Sequence, residues 1–345
     1  MSNYVYSSSP QIRSSRTTKR IMADVCIAMA PACIAGCILL GWRSLLVLAI
    51  ASLAAVVSEF VFQLCCKKSF QQILKEFDFS SLVTGMLVGM NMYSNSKWYA
   101  PLLASVFAVI VVKMLFGGTG KNIVNPAIAG RIFAFISFGA AFGGTMHFVN
   151  ANGDATKVLS SVTGGYIQGA TPLQAIFGAN VQGNTLTNLD LFLGTGVPGC
   201  IGETCKLALI IGGIYLVVRG VLNFRWPLVY IATTGVVAVL INWIDGGNFT
   251  QAIGTFLPNI LSGGLILGAI FMATDYVTTP DTKLGNYIYF VALGVLTAVL
   301  RKAVKGEAVS FAILLMNLLV PLIDKYVVRK PFGYVKPQKT KKEAK

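Results

Sequence analysis

Ten apolar stretches, most close to the roughly 20 residues needed to cross a bilayer's hydrocarbon core, dominate this chain of 345 residues. They leave a membrane as the setting in which it folds. Seven stand out by hydropathy and cover residues 21–40, 44–65, 98–116, 206–222, 227–244, 286–300 and 308–327. Three more, 80–93, 123–138 and 257–274, are short or interrupted by glycine. Irregular backbone at membrane depth survives only where protein or water satisfies its polar groups, so these three read as broken helices lining an internal site. The expected fold is an all-α polytopic membrane protein of about ten transmembrane helices.

Lys and Arg set the expected orientation, because cytoplasmic flanks carry their excess. The N-terminal tail has Arg13, Arg16, Lys19 and Arg20 without an acid, and the C-terminal tail has Arg329, Lys330, Lys336, Lys339, Lys341, Lys342 and Lys345. Both termini should therefore be cytoplasmic, with the protein multi-pass in the cell membrane. The segments then divide into a basic tail at 1–20, a first five-helix unit at 21–138, an extracytoplasmic loop at 139–205, a second five-helix unit at 206–327 and a basic tail at 328–345. Arg301, Lys302 and Lys305 fall on the outer side in this scheme, against the trend. The net charge of +15 is thus mostly topology. It implies contact with anionic lipid headgroups of the bilayer and does not imply nucleic acid binding.

A weak internal repeat supports the division. Ser81-Leu82-Val83-Thr84-Gly85-Met86-Leu87-Val88-Gly89-Met90 echoes Ser262-Gly263-Gly264-Leu265-Ile266-Leu267-Gly268-Ala269-Ile270-Phe271. Each copy has a Gly-x-x-x-Gly step and is followed by a polar turn, a further span, a basic glycine-containing connector and another helix. Copies in third and eighth place enter the membrane from opposite sides, as in inverted repeats. Gly-x-x-x-Gly also serves close helix packing alone.

Composition narrows the chemistry. With one histidine, His147, the chain cannot by itself build a bis-histidine haem site or a histidine-rich metal site. Seven cysteines add little. Cys26, Cys33 and Cys37 share one helix face as small packing residues. Cys200 and Cys205 are too few for an iron-sulfur cluster, though a disulfide between them is open if the loop lies outside the cytoplasm. Glu59 is an intramembrane carboxylate, a candidate for an ion path or a structural partner of a cation such as Lys113.

Three blocks carry a resemblance to a known family. Phe116-Gly117-Gly118-Thr119-Gly120-Lys121-Asn122-Ile123-Val124-Asn125-Pro126-Ala127-Ile128-Ala129-Gly130-Arg131 and Phe271-Met272-Ala273-Thr274-Asp275-Tyr276-Val277-Thr278-Thr279-Pro280 resemble the pattern of RnfD, the D component of the Rnf electron transport complex. Between them, Gly169-Ala170-Thr171-Pro172-Leu173 resembles the site at which FMN is joined through its phosphate to a threonine hydroxyl in the membrane flavoproteins of Rnf and of sodium-pumping NADH:quinone reductase. The B component of the quinone reductase is similar too, but tends to carry a longer extension than the twenty or so residues that precede the first span here. In the family pattern an acid often stands six positions before the threonine and Ser or Thr three before it. This chain has Gly165 and Gln168 there.

The resemblance implies a membrane electron-transfer component of an ion-translocating ferredoxin:NAD oxidoreductase. It implies covalent FMN on Thr171 as a phosphoester and a second, non-covalent flavin such as riboflavin within the bundle. It also implies partners within the Rnf complex: RnfG, which bears FMN, the membrane proteins RnfA and RnfE, RnfC with the NADH site and the iron-sulfur protein RnfB. The residues themselves are compatible. Thr171-Pro172-Leu173-Gln174 reads as a helix start, with threonine as cap, proline at the first position and glutamine as in a capping box. A phosphate there would lie where free N–H groups and the helix dipole favour anions.

Asn122, Asn125 and Arg131 stand at the mouth of one broken helix, and Thr274, Asp275, Thr278 and Thr279 at the end of its partner. These amides, hydroxyls and the cation could hold a flavin ring. Alternatively, Asn125-Pro126 only opens a helix and Arg131 pairs with Asp275. A different class, a solute channel or transporter, shares the inverted-repeat pattern. Flavin content discriminates between the two.

Overall fold

The computed structural model describes residues 16–139, 146–149, 165–168, 187–195, 197, 199–246, 248–304 and 307–328. Those residues are overwhelmingly helical. Five helices are long and apolar enough to cross a membrane: α1 (Thr18–Leu40), α2 (Trp42–Cys65), α9 (Arg225–Ile244), α13 (Lys283–Val304) and α14 (Val309–Tyr326). The shorter apolar helices are α4 (Ser80–Met90), α5 (Tyr99–Val106, continued by a π-helix Phe107–Met114), α6 (Pro126–Ser137) and α8 (Lys206–Val218). One span is broken: α10 (Phe249–Gly254) and α11 (Phe256–Leu261) meet α12 (Leu265–Leu267, continued by a π-helix Gly268–Met272) at a bend of 61°.

All ten apolar segments read from the sequence fall on one of these elements. Of the three read as broken, the segment at 257–274 is broken, whereas α4 and α6 are continuous but short. The chain also forms helices outside those segments, α3 (Phe70–Glu76) in a basic connector and α7 (Asn188–Leu193) before the second half. The all-α expectation needs one addition: β1 (Met146–Val149) pairs antiparallel with β2 (Gly165–Gln168), His147 opposite Ile167. Gly165 and Gln168 thus stand in a strand that leads toward Thr171.

Local chemistry sets the ends. Thr17 caps α1 by accepting the Arg20 N–H, and Gly41, at φ 83°, joins α1 to α2 in a single residue, a backbone region that costs glycine least. Asn125 caps α6, its Oδ1 accepting the N–H groups of Ala127 and Ile128, with Pro126 at the first position.

Glycines let the helices approach. A Cβ on Gly85 would lie 2.6 Å from the Ser52 Cα, so the Gly-x-x-x-Gly step of α4 is a packing face against α2. A Cβ on Gly212 of α8 would lie 2.1 Å from the Ala28 carbonyl of α1. Across the two halves α1 packs on α8 and α6 on α14, so first elements meet first and fifth meet fifth. Bulky apolar side chains such as Ile34, Leu53, Ile214 and Leu322 are exposed around the outside, as lipid contact requires.

Candidate functional site

Two polar regions interrupt the apolar interior, one near the pole where α1 begins and one near the pole where it ends. At the first pole a cavity opens between the α5–α6 connector and the connector after α12. Its walls are apolar, with Val25, Leu87, Leu216, Ile270 and Phe271, and its rim is polar, with Ser80, Lys113, Thr119, Asn122, Thr274 and Asp275. Asn122 donates to the Val124 carbonyl at 3.0 Å and also hydrogen-bonds the Asp275 carboxylate, tying the two connectors together. Asn125 donates from Nδ2 to the Met272 carbonyl at 3.1 Å. Burial pushes the Asp275 carboxyl above its ordinary range, more than the hydrogen bonds from Val277 N–H, Asn122 and Thr278 pull it down.

The hydroxyls of this rim are used locally. Thr274 donates to the Ile270 carbonyl at 2.6 Å and Thr279 to the Asp275 carbonyl at 3.0 Å, while Thr278 lies 3.5 Å from the Asp275 carboxylate. Thr279 lines a second hollow with Trp226, Asn286 and Phe290, which shares Thr274 and Tyr276 with the first. Six of the candidates, Asn122, Asn125, Thr274, Asp275, Thr278 and Thr279, are therefore gathered at one pole. Thr171, Gly169, Ala170, Pro172, Leu173 and Gln174 lie outside the described residues.

Arg131 is elsewhere, and it does not pair with Asp275. Its Nη1 donates to Asn91 Oδ1 at 3.1 Å and Ser310 Oγ at 2.6 Å, and its Nη2 lies 3.9 Å from Cys200 Sγ and 3.7 Å from Glu203 Oε1. The reason is axial position. One and a half turns into α6, Arg131 is carried away from the connector that holds Asp275 and toward the far pole.

That far pole holds a group of buried charges. Arg301 Nη1 and Nη2 donate to the carbonyls of Asn259 (2.7 Å) and Ser262 (3.1 Å), capping the end of α11. Glu307 accepts the N–H of Gly264 at 3.1 Å, which opens α12, and that of Val309 at 3.1 Å, which opens α14. Opposite helix ends thus receive opposite charges, as their dipoles demand. Glu203 enters from the segment before α8, where Ile201 N–H bonds the Met92 carbonyl at 3.0 Å, and Lys206 from the first position of α8.

The intramembrane Glu59 has the structural partner considered for it: Lys113 Nζ lies 3.2 Å from its Oε2, both buried. Cys200 and Cys205 are free thiols, so the disulfide is not formed. Among the described residues no three or more His, Cys, Asp and Glu side chains converge on a common metal position.

Comparison with known proteins places this architecture. A sequence profile of the NQR2, RnfD, RnfE family matches residues 5–333. The chain belongs to that family. It is 36% identical over 345 residues to the D component of the Na(+)-translocating ferredoxin:NAD(+) oxidoreductase complex of Acetobacterium woodii, covering 99% of this chain and 98% of that protein. It is 34% identical over 332 residues, 96% of each, to the D component of the proton-translocating ferredoxin:NAD(+) oxidoreductase complex of Clostridium ljungdahlii. It is 33% identical to the D component of the ion-translocating oxidoreductase complex of Stutzerimonas stutzeri, 93% of each chain.

Sequence reasoning within this family pattern passed over Glu203, Arg301 and Glu307. A signal existed: an acid in Gly202-Glu203-Thr204 immediately before a span, and a double glycine, Gly263-Gly264, within a broken one.

Proposed function

We propose that this chain is the membrane electron-transfer component RnfD of an ion-translocating ferredoxin:NAD oxidoreductase. It carries electrons through FMN joined to Thr171 and through a second, non-covalent flavin, riboflavin, at the cavity of the first pole. The observation that carries this reading is that cavity together with the full-length relationship. Flavin, when bound, exchanges one or two electrons and so links single-electron clusters to the two-electron NAD couple.

The chain's own residues suit a planar ring with one polar edge. Val25, Leu87, Leu216 and Phe271 offer apolar faces, while the Asn122 amide and the Asp275 carboxyl sit together on the rim. Burial disfavours a charge on the Asp275 carboxyl, which suits a rim beside a ring that would gain negative charge on reduction. Arg131 is excluded from this site by its position. Asn125 acts by holding Met272 and opening α6, hence on the shape of the cavity.

The finer architecture goes with this function. The ten elements form two inverted five-helix repeats, 21–138 and 206–327, around a flavin-bearing loop at 139–205, with basic tails at 1–20 and 328–345. The first-to-first and fifth-to-fifth packing of α1 on α8 and α6 on α14 supports it. Both termini lie in the cytoplasm and the loop outside the cell membrane. Electrons pass to or from the FMN of RnfG, with the membrane proteins RnfA and RnfE alongside, and NADH and ferredoxin bind RnfC and RnfB.

Covalent attachment is tested by co-expression with a flavin transferase and fluorescence after denaturing electrophoresis. Thr171→Ala should abolish the signal and Thr163→Ala should leave it. Retention of fluorescence in the Thr171 variant overturns the assignment.

A further inference from the structure

We propose that Glu203 forms a monovalent-cation site at the break in the eighth apolar segment, where a proton or a sodium ion is taken up on its carboxylate. The inference rests on the ion-translocating reading above and assigns that activity a place in this chain. Glu203 is 6% exposed, and its Oε1 has no hydrogen-bond partner among the described atoms. It faces the Gly263–Gly264 turn so closely that a Cβ on Gly264 would lie 2.9 Å from it. Two further polar atoms at the same turn, Ser262 Oγ and Arg301 Nε, are also buried and without a partner. Buried polar groups are nearly always satisfied, so three orphans around one turn mark a place built for something besides packing.

The surrounding charges fit a loading cycle. Arg131 is the counter-ion nearest Glu203, yet at 3.7 Å its Nη2 makes no hydrogen bond to the carboxylate, while its Nη1 is held by Asn91 and Ser310. It forms an ion pair with Glu203 Oε1 and leaves that oxygen without a hydrogen bond. Arg301 Nη1 and Nη2 and Glu307 cap the two helix ends of the break, and Lys206 donates to the Glu203 backbone carbonyl, so each is anchored by partners other than Oε1. The thiol of Cys200 and the ring of Tyr93 complete the surroundings. Two carboxylates and three cations converge here, and a bound cation changes the balance between Glu203 and Arg131. The broken helix carrying Gly264 also forms the wall of the first-pole cavity through Ile270 and Phe271, which gives the cation site a mechanical connection to the flavin site.

The test uses the intact complex purified from membranes. Dicyclohexylcarbodiimide reacts with buried protonated carboxyls, and peptide mass spectrometry locates the adduct. Modification at Glu203 that slows with added Na⁺ identifies sodium as the cation, and modification that falls only as pH rises identifies the proton. In proteoliposomes, Glu203→Gln should keep ferredoxin-linked electron transfer and lose cation uptake, while Glu203→Asp should retain uptake at higher cation concentration.

Wild-type cation uptake in Glu203→Gln overturns the proposal. So does a Glu203 that stays unmodified, or whose modification ignores both Na⁺ and pH. Should Glu203→Gln fail to assemble, the labelling of wild-type protein decides by itself. A wild-type complex that pumps no cation would sink the ion-translocating reading, whereas cation-dependent labelling would still establish the site.

Discussion

The two halves of the molecule hold the entrance of their third apolar segment with the same device, a buried cation from the end of the fourth, but they finish it differently. In the first half Lys113 Nζ donates to Ser80 Oγ at 2.6 Å and lies 3.2 Å from Glu59 Oε2, while Gln63 donates to Glu59 Oε1 at 3.2 Å. Asp78 accepts the Ser80 N–H that opens α4; burial works against its ionisation, yet the hydrogen bonds from Ser80 and Thr119 and the nearby Lys113 together hold the carboxyl below its ordinary range. Both Glu59 oxygens are partnered. In the second half Arg301 and Glu307 cap a real break, and Glu203, Ser262 and Arg301 each keep an unpartnered polar atom. A carboxylate with both oxygens partnered is held in place and one with an unpartnered oxygen is available for ligand, although Gln63 Oε1 and Ser81 Oγ in the first half are also buried without a partner. The contrast separates a structural ion pair, Glu59 with Lys113, from a functional carboxylate, Glu203.

Breaking the closed side should cost most. Lys113→Leu strands the buried Glu59 carboxylate, a loss of about 3–5 kcal/mol, read as failed assembly or a collapsed thermal transition of the purified protein. Adding Glu59→Leu should recover most of it, since the stranded charge is then gone; no recovery would mean that the pair does more than neutralise itself.

On the open side the backbone comes next. Gly263 has φ 67°, and a Cβ there would run into Glu307. Gly263→Ala should therefore destabilise by about 1–3 kcal/mol, measurable by the same thermal unfolding, and a neutral result would mean the break is not fixed. Smallest is Glu203→Gln. Arg131 loses one counter-ion but keeps its hydrogen bonds to Asn91 and Ser310 and the nearby Glu307 carboxylate, so the loss of stability should be smaller than that of Lys113→Leu. A loss as large as that of Lys113→Leu would erase the distinction between the two sides.

The same contrast shows what could be read from the chain beforehand. Hydropathy located every long or short apolar helix, because burial in lipid imposes its pattern over many consecutive residues. It also marked 257–274 as interrupted, since Gly263-Gly264 stands within it. Asn125-Pro126 was legible as a helix opening, because a cap is local chemistry. Apart from Glu59 with Lys113, partners of charges were not legible. Arg131 meets Glu203 and Ser310 through long-range packing of α6 against α14, and nothing near it in sequence distinguishes those partners from Asp275. Glu203 owes its buried place to the insertion of residues 200–206 between the halves, a tertiary event that no local pattern marks.

The cavity and the far-pole cluster also differ in what Arg131 should do for flavin. Asp275→Asn should lower the flavin released on denaturing extraction, and Arg131→Leu should leave it unchanged if the protein assembles.

Flavin content of the purified chain, co-expressed with a flavin transferase and measured before and after denaturing extraction, tests the central claim most directly. The account predicts two pools, one retained on the chain and lost in Thr171→Ala, the other released and diminished in Asp275→Asn. A chain that assembles normally and contains neither pool would contradict it and favour a solute channel built on the same ten elements.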